Sequence, residues 1–298
     1  MSCLFLIVAF SAASYAQIAV GISVRLGPPA LPVYDQPLCP GPGYLWTPGY
    51  WAWNDDAGYY WVPGTWVVAP VGMLWTPGYW GWAGGLYAWH AGYWGPHIGF
   101  YGGVNYGLGY AGVGFVGGEW RGGAFFYNTA VVHVDTVHVT NVYVNRTVIV
   151  NNESHVAFNG GEGGVVARPT PEEQRAMNEP HTPALAAQTE HEHQASLSRA
   201  NFASENHGRP AIAATARPGE FSGRGVVHAN ATGGEYHEPA MSPREARGPA
   251  VSGTRAENRP AAPPNRNENA NANRNNNSHS KPQKSAPPKH EGKEKEKN

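Results

Sequence analysis

The chain has 298 residues, of which 38 are glycine, 26 are proline and 11 are tryptophan, and only 14% are charged. A composition so rich in glycine and proline disfavours long helices, and a formal net charge of −1 offers no basic surface of the kind that binds nucleic acid. Residues 1–165 hold three basic and seven acidic side chains, whereas the remaining residues hold 18 and 15.

Residues 1–16 are typical of an export signal. An apolar run at residues 4–10 is followed by small residues ending in Ser14-Tyr15-Ala16, which predicts cleavage after Ala16. The alternative, a buried strand, does not account for the small-residue site. We therefore expect a mature chain that begins at Gln17 and lies in the periplasm, at the outer membrane or outside the cell.

The mature chain would hold one cysteine, Cys39, because Cys3 lies within the predicted signal. A single cysteine forms no internal disulfide, so either a free thiol or a bridge between two chains is expected. No run of about 18 apolar residues follows the signal, which predicts no transmembrane helix in the mature chain. Association with a membrane surface stays open.

A six-residue phrase, Trp-x-x-Gly-x-Trp, is repeated after a proline-containing entry segment at residues 17–45. The first tryptophans of successive phrases lie 14 or 15 residues apart, and such a period indicates a repeated structural unit. The four phrases occupy residues 46–51, 61–66, 75–80 and 89–94.

Each period predicts two short strands and two turns. Proline followed by glycine favours a type II turn, in which the glycine takes a positive φ, and three of the four phrases hold this pair. The opposite turns are expected at residues 54–58, 69–72 and 83–85. Aromatic residues between the turns favour strands, so residues 46–94 are predicted to form a small antiparallel meander.

Residues 95–164 are predicted to continue the β region, and they contain two different sequence patterns. Aromatic residues separated by glycines fill the first part, which predicts twisted strands or a long wrapping loop. Valine pairs then recur every five residues over 130–150, and we expect short strands with polar corners there.

Helices are predicted only over residues 165–208. The segment Thr170-Pro171-Glu172-Glu173 is a capping box with proline at the first helical position, and a second helix is expected from Thr182 to about Ala200. Residues 209–298 predict a disordered, low-complexity tail. The fold class is thus mainly β: an antiparallel meander of short Trp/Tyr/Gly-rich strand repeats, then short helices and a disordered C-terminal tail.

The order of these motifs resembles that of bacterial exported proteins with YXWGXW, or WXXGXW, repeats. The Trp phrases, the glycine–aromatic stretch, the run at 142–148 and the Phe-Asn-Gly-Gly step at 158–161 all contribute to the resemblance. It covers roughly residues 17–225 and departs at His90-Ala91, where the fourth phrase lacks proline. It implies an envelope-associated or secreted protein of unassigned activity and supplies no catalytic residues.

Sequence motifs for catalysis are missing: we find no Gly-x-Ser-x-Gly elbow, Walker loop, dinucleotide fingerprint or His-Glu-x-x-His. We therefore predict no enzyme activity and no cofactor. His191 and His193 would point in different directions on a helix, and His133 and His138 would lie on opposite faces of a strand. All four are predicted to be solvated side chains and not metal ligands.

Tryptophan and tyrosine rings are the remaining candidates for a binding site. Either they form the core of a thin sheet, which we favour, or some stay exposed and stack on sugars. We predict a non-enzymatic structural or interaction protein of the cell envelope. The alternative is a glycan-binding module, and envelope polysaccharides or other envelope proteins are the expected partners. The hypothetical stacking residues are Tyr50, Trp51, Tyr79, Trp80, Tyr93 and Trp94.

Overall fold

The computed structural model describes residues 20–147, 154–249 and 251–252. Among these residues, strands account for 30% and helices for 13%, so the predicted mainly β class is confirmed. The predicted export signal and residues 253–298 of the predicted tail lie outside the described residues.

The strands are short, and none in the described ranges exceeds five residues. In chain order they are β1 (Val20–Gly21), β2 (Ser23–Val24), β3 (Tyr44–Thr47), β4 (Tyr50–Asn54), β5 (Gly58–Val62), β6 (Gly64–Val68), β7 (Leu74–Thr76), β8 (Tyr79–Ala83), β9 (Leu86–His90), β10 (Tyr93–Gly95), β11 (Asn105–Gly107), β12 (Tyr110–Ala111), β13 (Gly118–Arg121), β14 (Ala124–Asn128), β15 (Val142–Tyr143), β16 (Phe158–Asn159), β17 (Thr182–Pro183), β18 (Ala214–Thr215), β19 (Val226–Val227) and β20 (Val251–Ser252).

The described helices all follow residue 170. The capping box is confirmed, since the Thr170 side chain accepts from the Glu173 N–H and the Glu173 carboxylate accepts from the Thr170 N–H. The second helix begins later than predicted, because Thr182–Pro183 pairs with β10 as a strand. The helices are α1 (Pro171–Met177), α2 (Ala186–Leu197), α3 (Ala203–Asn206) and α4 (Pro243–Ala246), with a 3-10 turn at Arg199–Asn201.

Each pair of phrases forms one kinked antiparallel hairpin. In the first hairpin, β4 pairs with β5 and β3 pairs with β6, so each arm consists of two consecutive strands. The second hairpin repeats this arrangement, with β8 paired to β9 and β7 to β10. The register places the phrase tryptophans opposite one another, with indole centroids 5.2–5.4 Å apart: Trp46 and Trp66, Trp51 and Trp61, Trp75 and Trp94, and Trp80 and Trp89.

The turns predicted between the phrases are confirmed. The Asn54 side chain accepts the backbone N–H groups of Asp56 and Ala57 at the tip of the first hairpin. At the tip of the second, Gly84 and Gly85 both have positive φ, as a two-residue type I′ turn requires.

The phrase glycines do not form the predicted type II turns. Gly49, Gly64, Gly78 and Gly92 all lack a positive φ, so the proline–glycine pair, or Ala91-Gly92 in the fourth phrase, bends each arm and does not reverse the chain. The glycines of one hairpin face each other instead. A Cβ atom on Gly49 would lie 2.8 Å from the backbone N of Gly64, and one on Gly64 would lie 2.6 Å from Cζ2 of Trp46. Glycine is needed here because the opposite backbone and an indole ring occupy the space of a side chain.

We predict that Gly49→Ala lowers the free energy of unfolding by at least about 2 kcal/mol, because the added methyl group overpacks the kink. Gly41→Ala is the matched control, since a Cβ on Gly41 has no heavy atom within 4 Å. Urea denaturation followed by tryptophan fluorescence measures both changes. Equal stability of the two variants would contradict the close-approach role of Gly49.

Indole N–H groups attach other segments of the chain to the hairpins. The Nε1 atoms of Trp51 and Trp66 donate to carbonyl oxygens of the entry segment, those of Ala30 (3.1 Å) and Pro37 (2.8 Å). The Nε1 of Trp61 donates to the carbonyl of Ala213, 152 residues further along the chain, at 3.0 Å. The tryptophans therefore supply both the core and the bonds that organise the flanking chain around it.

The chain from 209 to 249 is folded, which corrects the predicted start of the disordered tail. Strand β18 lies parallel to β6 and antiparallel to β19, and Ala213, Ala214 and Thr215 are fully buried. The edge of β6 has backbone groups that need partners, and small side chains let β18 approach it. Composition alone does not reveal this pairing.

The valine-rich stretch forms fewer strands than predicted over its described part, residues 130–147. Its one strand there is β15, which pairs parallel to β14. Asp135 closes a turn, because its side chain accepts the Val137 N–H at 2.9 Å and its carbonyl accepts the Val139 N–H at 2.8 Å. An aspartate side chain that accepts a hydrogen bond from the backbone two residues further along favours a turn over strand pairing.

Cys39 is buried, with 5% of its surface exposed, and its thiol donates to the carbonyl of Gly41 at 3.2 Å. Burial raises the pKa of this thiol, which keeps it protonated and weakly nucleophilic. Of the two expected states, the structure therefore favours a free thiol over a bridge between chains.

We predict that Cys39 in the native protein reacts with a chromogenic disulfide reagent far more slowly than in urea, because the fold shields the sulfur and keeps it protonated. Absorbance of the released thiolate measures the two rates. A native rate equal to the unfolded one, or a disulfide-linked dimer on a non-reducing gel, would contradict the buried position.

Candidate functional site

A cavity of about 180 Å³ lies where the two hairpins meet beneath α2. The third residue of every phrase lines it, and in the fourth phrase this residue is alanine instead of proline. A larger cavity of about 480 Å³ has its carboxyl and imidazole groups, those of Glu235, His237 and Glu238, at an exposed rim. The smaller cavity is the better candidate because its titratable groups with shifted pKa values include an imidazole and a carboxyl group, whereas the buried titratable group of the larger cavity is the Tyr59 phenol. The residues at the third position of the four phrases, all of which line the smaller cavity, are Pro48, Pro63, Pro77 and Ala91.

One face of α2 roofs this junction cavity with Gln188, His191 and Glu192. Residues three and four positions apart share a helix face. The spacing of these three residues is therefore the sequence signal of the site, and a comparison of His191 with His193 alone does not reveal it. The Gln188 side-chain oxygen accepts the Trp94 indole N–H at 2.7 Å and the Leu185 backbone N–H at 2.9 Å. These bonds fix the start of α2 over the second hairpin.

His191 is buried, with 2% of its surface exposed, so its predicted solvated state is wrong. Its Nε2 donates to the carbonyl of Pro63 at 2.9 Å, and its Nδ1 accepts the Gly219 N–H at 3.0 Å. Burial lowers the pKa of His191 from its usual 6.5 to about 4. The imidazole is therefore neutral near pH 7, and both nitrogens are occupied by backbone groups.

Glu192 points into an aromatic surrounding. Its Oε1 lies 3.5 Å from the Tyr60 hydroxyl, and the Tyr50 hydroxyl also faces the carboxyl group. Burial raises the pKa of Glu192, and the two hydroxyls only partly offset this effect. Desolvation is also the largest cause of the raised pKa of both tyrosines, which stay neutral. A carboxylate here lacks a compensating positive charge.

The structure places the hypothetical stacking residues in different surroundings. Trp51, Trp80 and Trp94 are at most 2% exposed, which corrects their assignment as open stacking surfaces. Their rings are covered because each packs across a hairpin against another tryptophan. Nor does Tyr79 offer an open face, since it stacks on His90 with ring centroids 4.5 Å apart.

Two of the predicted rings keep partial exposure, Tyr50 and Tyr93. Tyr93 faces the ring of His181 with centroids 4.4 Å apart, away from the lining of the junction cavity. Tyr50 lines the cavity and stacks on half-buried Trp89 at 5.1 Å and 18°. Trp89 was missed as a candidate, although it belongs to the phrase that departs from the proline pattern.

A family model of the WXXGXW repeat matches the chain in two copies, at residues 41–67 and 71–94. The chain therefore contains two copies of the WXXGXW repeat. Each matched copy holds two of the phrases and corresponds to one kinked hairpin. No curated protein and no solved structure matches the sequence of this chain.

Two other kinds of site are absent from the part of the chain that the structure describes. Three or more His, Cys, Asp or Glu side chains do not come together there in a group that could hold a metal ion. None of the described helices has the length and apolarity needed to cross a bilayer.

We predict that the protein loses stability as the pH falls from 6.5 to about 4, because the unfolded state then binds a proton that buried His191 does not. The pKa difference corresponds to at most roughly 3 kcal/mol. His191→Gln, which keeps an N–H donor for Pro63, should flatten this part of the pH profile. His193→Gln, at an exposed position of the same helix, is the control. Urea denaturation at each pH measures the effect, and a profile unchanged in His191→Gln would refute it.

Proposed function

We propose that this chain is a non-enzymatic exported protein that serves as a structural or interaction scaffold in the cell envelope. The observation that carries the proposal is the use of indole N–H groups as anchors. Trp51 and Trp66 hold the entry segment, and Trp61 holds the chain at Ala213, by hydrogen bonds to backbone carbonyls. Such anchoring supports a persistent folded surface where Cys39, the cysteine among the described residues, is free and forms no disulfide.

The arrangement of polar groups at the junction cavity supports a non-enzymatic role. Both ring nitrogens of His191 bond to backbone groups, so neither is placed to exchange a proton with a substrate. Glu192 has two neutral phenols as its hydrogen-bonding neighbours. General acid–base catalysis needs an acid and a base that can both reach the substrate.

The export signal predicted at residues 1–16 supports a location in the periplasm, at the outer membrane or outside the cell. Envelope polysaccharides and other envelope proteins are the partners that this location offers. A second candidate function, binding of a glycan, is favoured by one specific observation: Tyr50 and Trp89 form a partly exposed stacked pair at the junction cavity.

Fractionation of the source cell tests the scaffold proposal. We expect the protein in the envelope or outside the cell, with a mature N-terminus at Gln17 by mass spectrometry, and we expect deletion of its gene to weaken the envelope against detergent. A version that lacks residues 2–16 is the control and should stay in the cytoplasm. A cytoplasmic protein that keeps residues 1–16, or a free periplasmic protein whose loss has no effect, would overturn the proposal.

A further inference from the structure

The junction cavity has an entrance where the fourth phrase departs from the other three. Pro48, Pro63 and Pro77 are buried in its wall, whereas Ala91 is exposed. Pro183 of β17, which is exposed, also lines the cavity. Alanine is smaller than proline, so this side of the junction is left more open than a fourth proline would leave it.

The wall next to the entrance is aromatic. Tyr50 and Trp89 stack at 5.1 Å, and both are partly exposed, while Trp75 and Tyr106 lie buried deeper in the lining. Aromatic walls with a few convergent polar groups are the common composition of small-molecule sites. The faces of such rings attract apolar C–H surfaces and also cations.

The charge of the cavity is one-sided. Glu192 is its acidic group, and His191 is neutral near pH 7 because burial lowers its pKa to about 4. Neither lysine nor arginine occurs among the described residues that line it. A ligand with a positively charged group would compensate the carboxylate and relieve the desolvation that raises the pKa of Glu192. An anionic ligand would be repelled.

We propose that the junction cavity binds a single aminopyranose, a sugar ring that carries a free amino group. The sugar lies against the uncovered side of the stacked Tyr50–Trp89 pair, and the ammonium group lies at Glu192. A volume of about 180 Å³ suits one such ring and not a chain of them. This inference rests on the glycan-binding candidate and specifies its ligand. A neutral pyranose would leave the carboxylate uncompensated, and a simple alkylammonium would make no hydrogen bonds through hydroxyl groups to polar side chains such as Tyr50 and Gln188 of the lining.

Titration calorimetry on the purified mature protein at about pH 7 tests the ligand class, because a sugar amine, like an α-amino group, is largely protonated there. Glucosamine is compared with N-acetylglucosamine, which has the same ring without the charge, and with cyclohexylamine, which has the charge without hydroxyl groups. We expect glucosamine to bind at least about tenfold more tightly than either. Equal affinity for the acetylated sugar or for cyclohexylamine, or no binding of glucosamine, would overturn the proposal.

Matched variants locate the site. Glu192→Gln should remove the preference for glucosamine, whereas Glu190→Gln, the same change at an exposed position of α2, should leave it intact. Ala91→Pro restores the residue found in the other phrases and should weaken binding by narrowing the entrance. Thermal unfolding checks that each variant is folded. If Glu192→Gln does not fold, Ala91→Pro still tests the location of the site. Equal loss in Glu190→Gln would refute the assignment to this cavity. Failure here leaves the fractionation result unaffected, so the two proposals fail separately.

Discussion

The close approach of two backbone arms beneath tryptophan rings is the constraint on which this structure depends. Gly49 meets Gly64 in the first hairpin and Gly78 meets Gly92 in the second, and in each case an indole covers the spot where a side chain would begin. The bend that this permits divides a long hairpin into two short paired segments. It also turns the indoles of opposite strands towards each other, with edge-to-face or tilted packing at the spacing typical of aromatic pairs. Large rings then fill a core that strands of five residues or fewer would otherwise leave thin.

Burial of tryptophan creates a second requirement, since a buried indole N–H needs an acceptor. Several of the phrase tryptophans meet it outside their own hairpin, at Ala30, Pro37, Ala213 and Gln188. The entry segment, α2 and the chain after residue 209 are therefore positioned by the repeats. The same bonds place α2 above the junction of the hairpins, where its Gln188, His191 and Glu192 face becomes the roof of a cavity.

Partial symmetry explains why a site can arise at this place. The two hairpins present equivalent positions to their junction, so prolines recur around it, and the fourth phrase interrupts the pattern with Ala91. The helix is present once and not twice, which puts a single carboxyl group on one side. A repeated scaffold thus acquires one asymmetric site through one substitution in a phrase and one helix from outside the repeats.

Local chemistry in the sequence determined the β class, the turns at the hairpin tips, the capping box of α1 and the division of the chain into repeats and helices, because these features depend on residues close together in the chain. The tertiary structure alone decided which tryptophans pair, that the phrase glycines serve close approach and not a turn, and that residues 209–249 join the fold. It also decided that His191 is buried and that Glu192, Tyr50 and Trp89 share a cavity. All of these depend on contacts between residues far apart in sequence, and the type of a residue does not specify which distant backbone or ring will lie next to it.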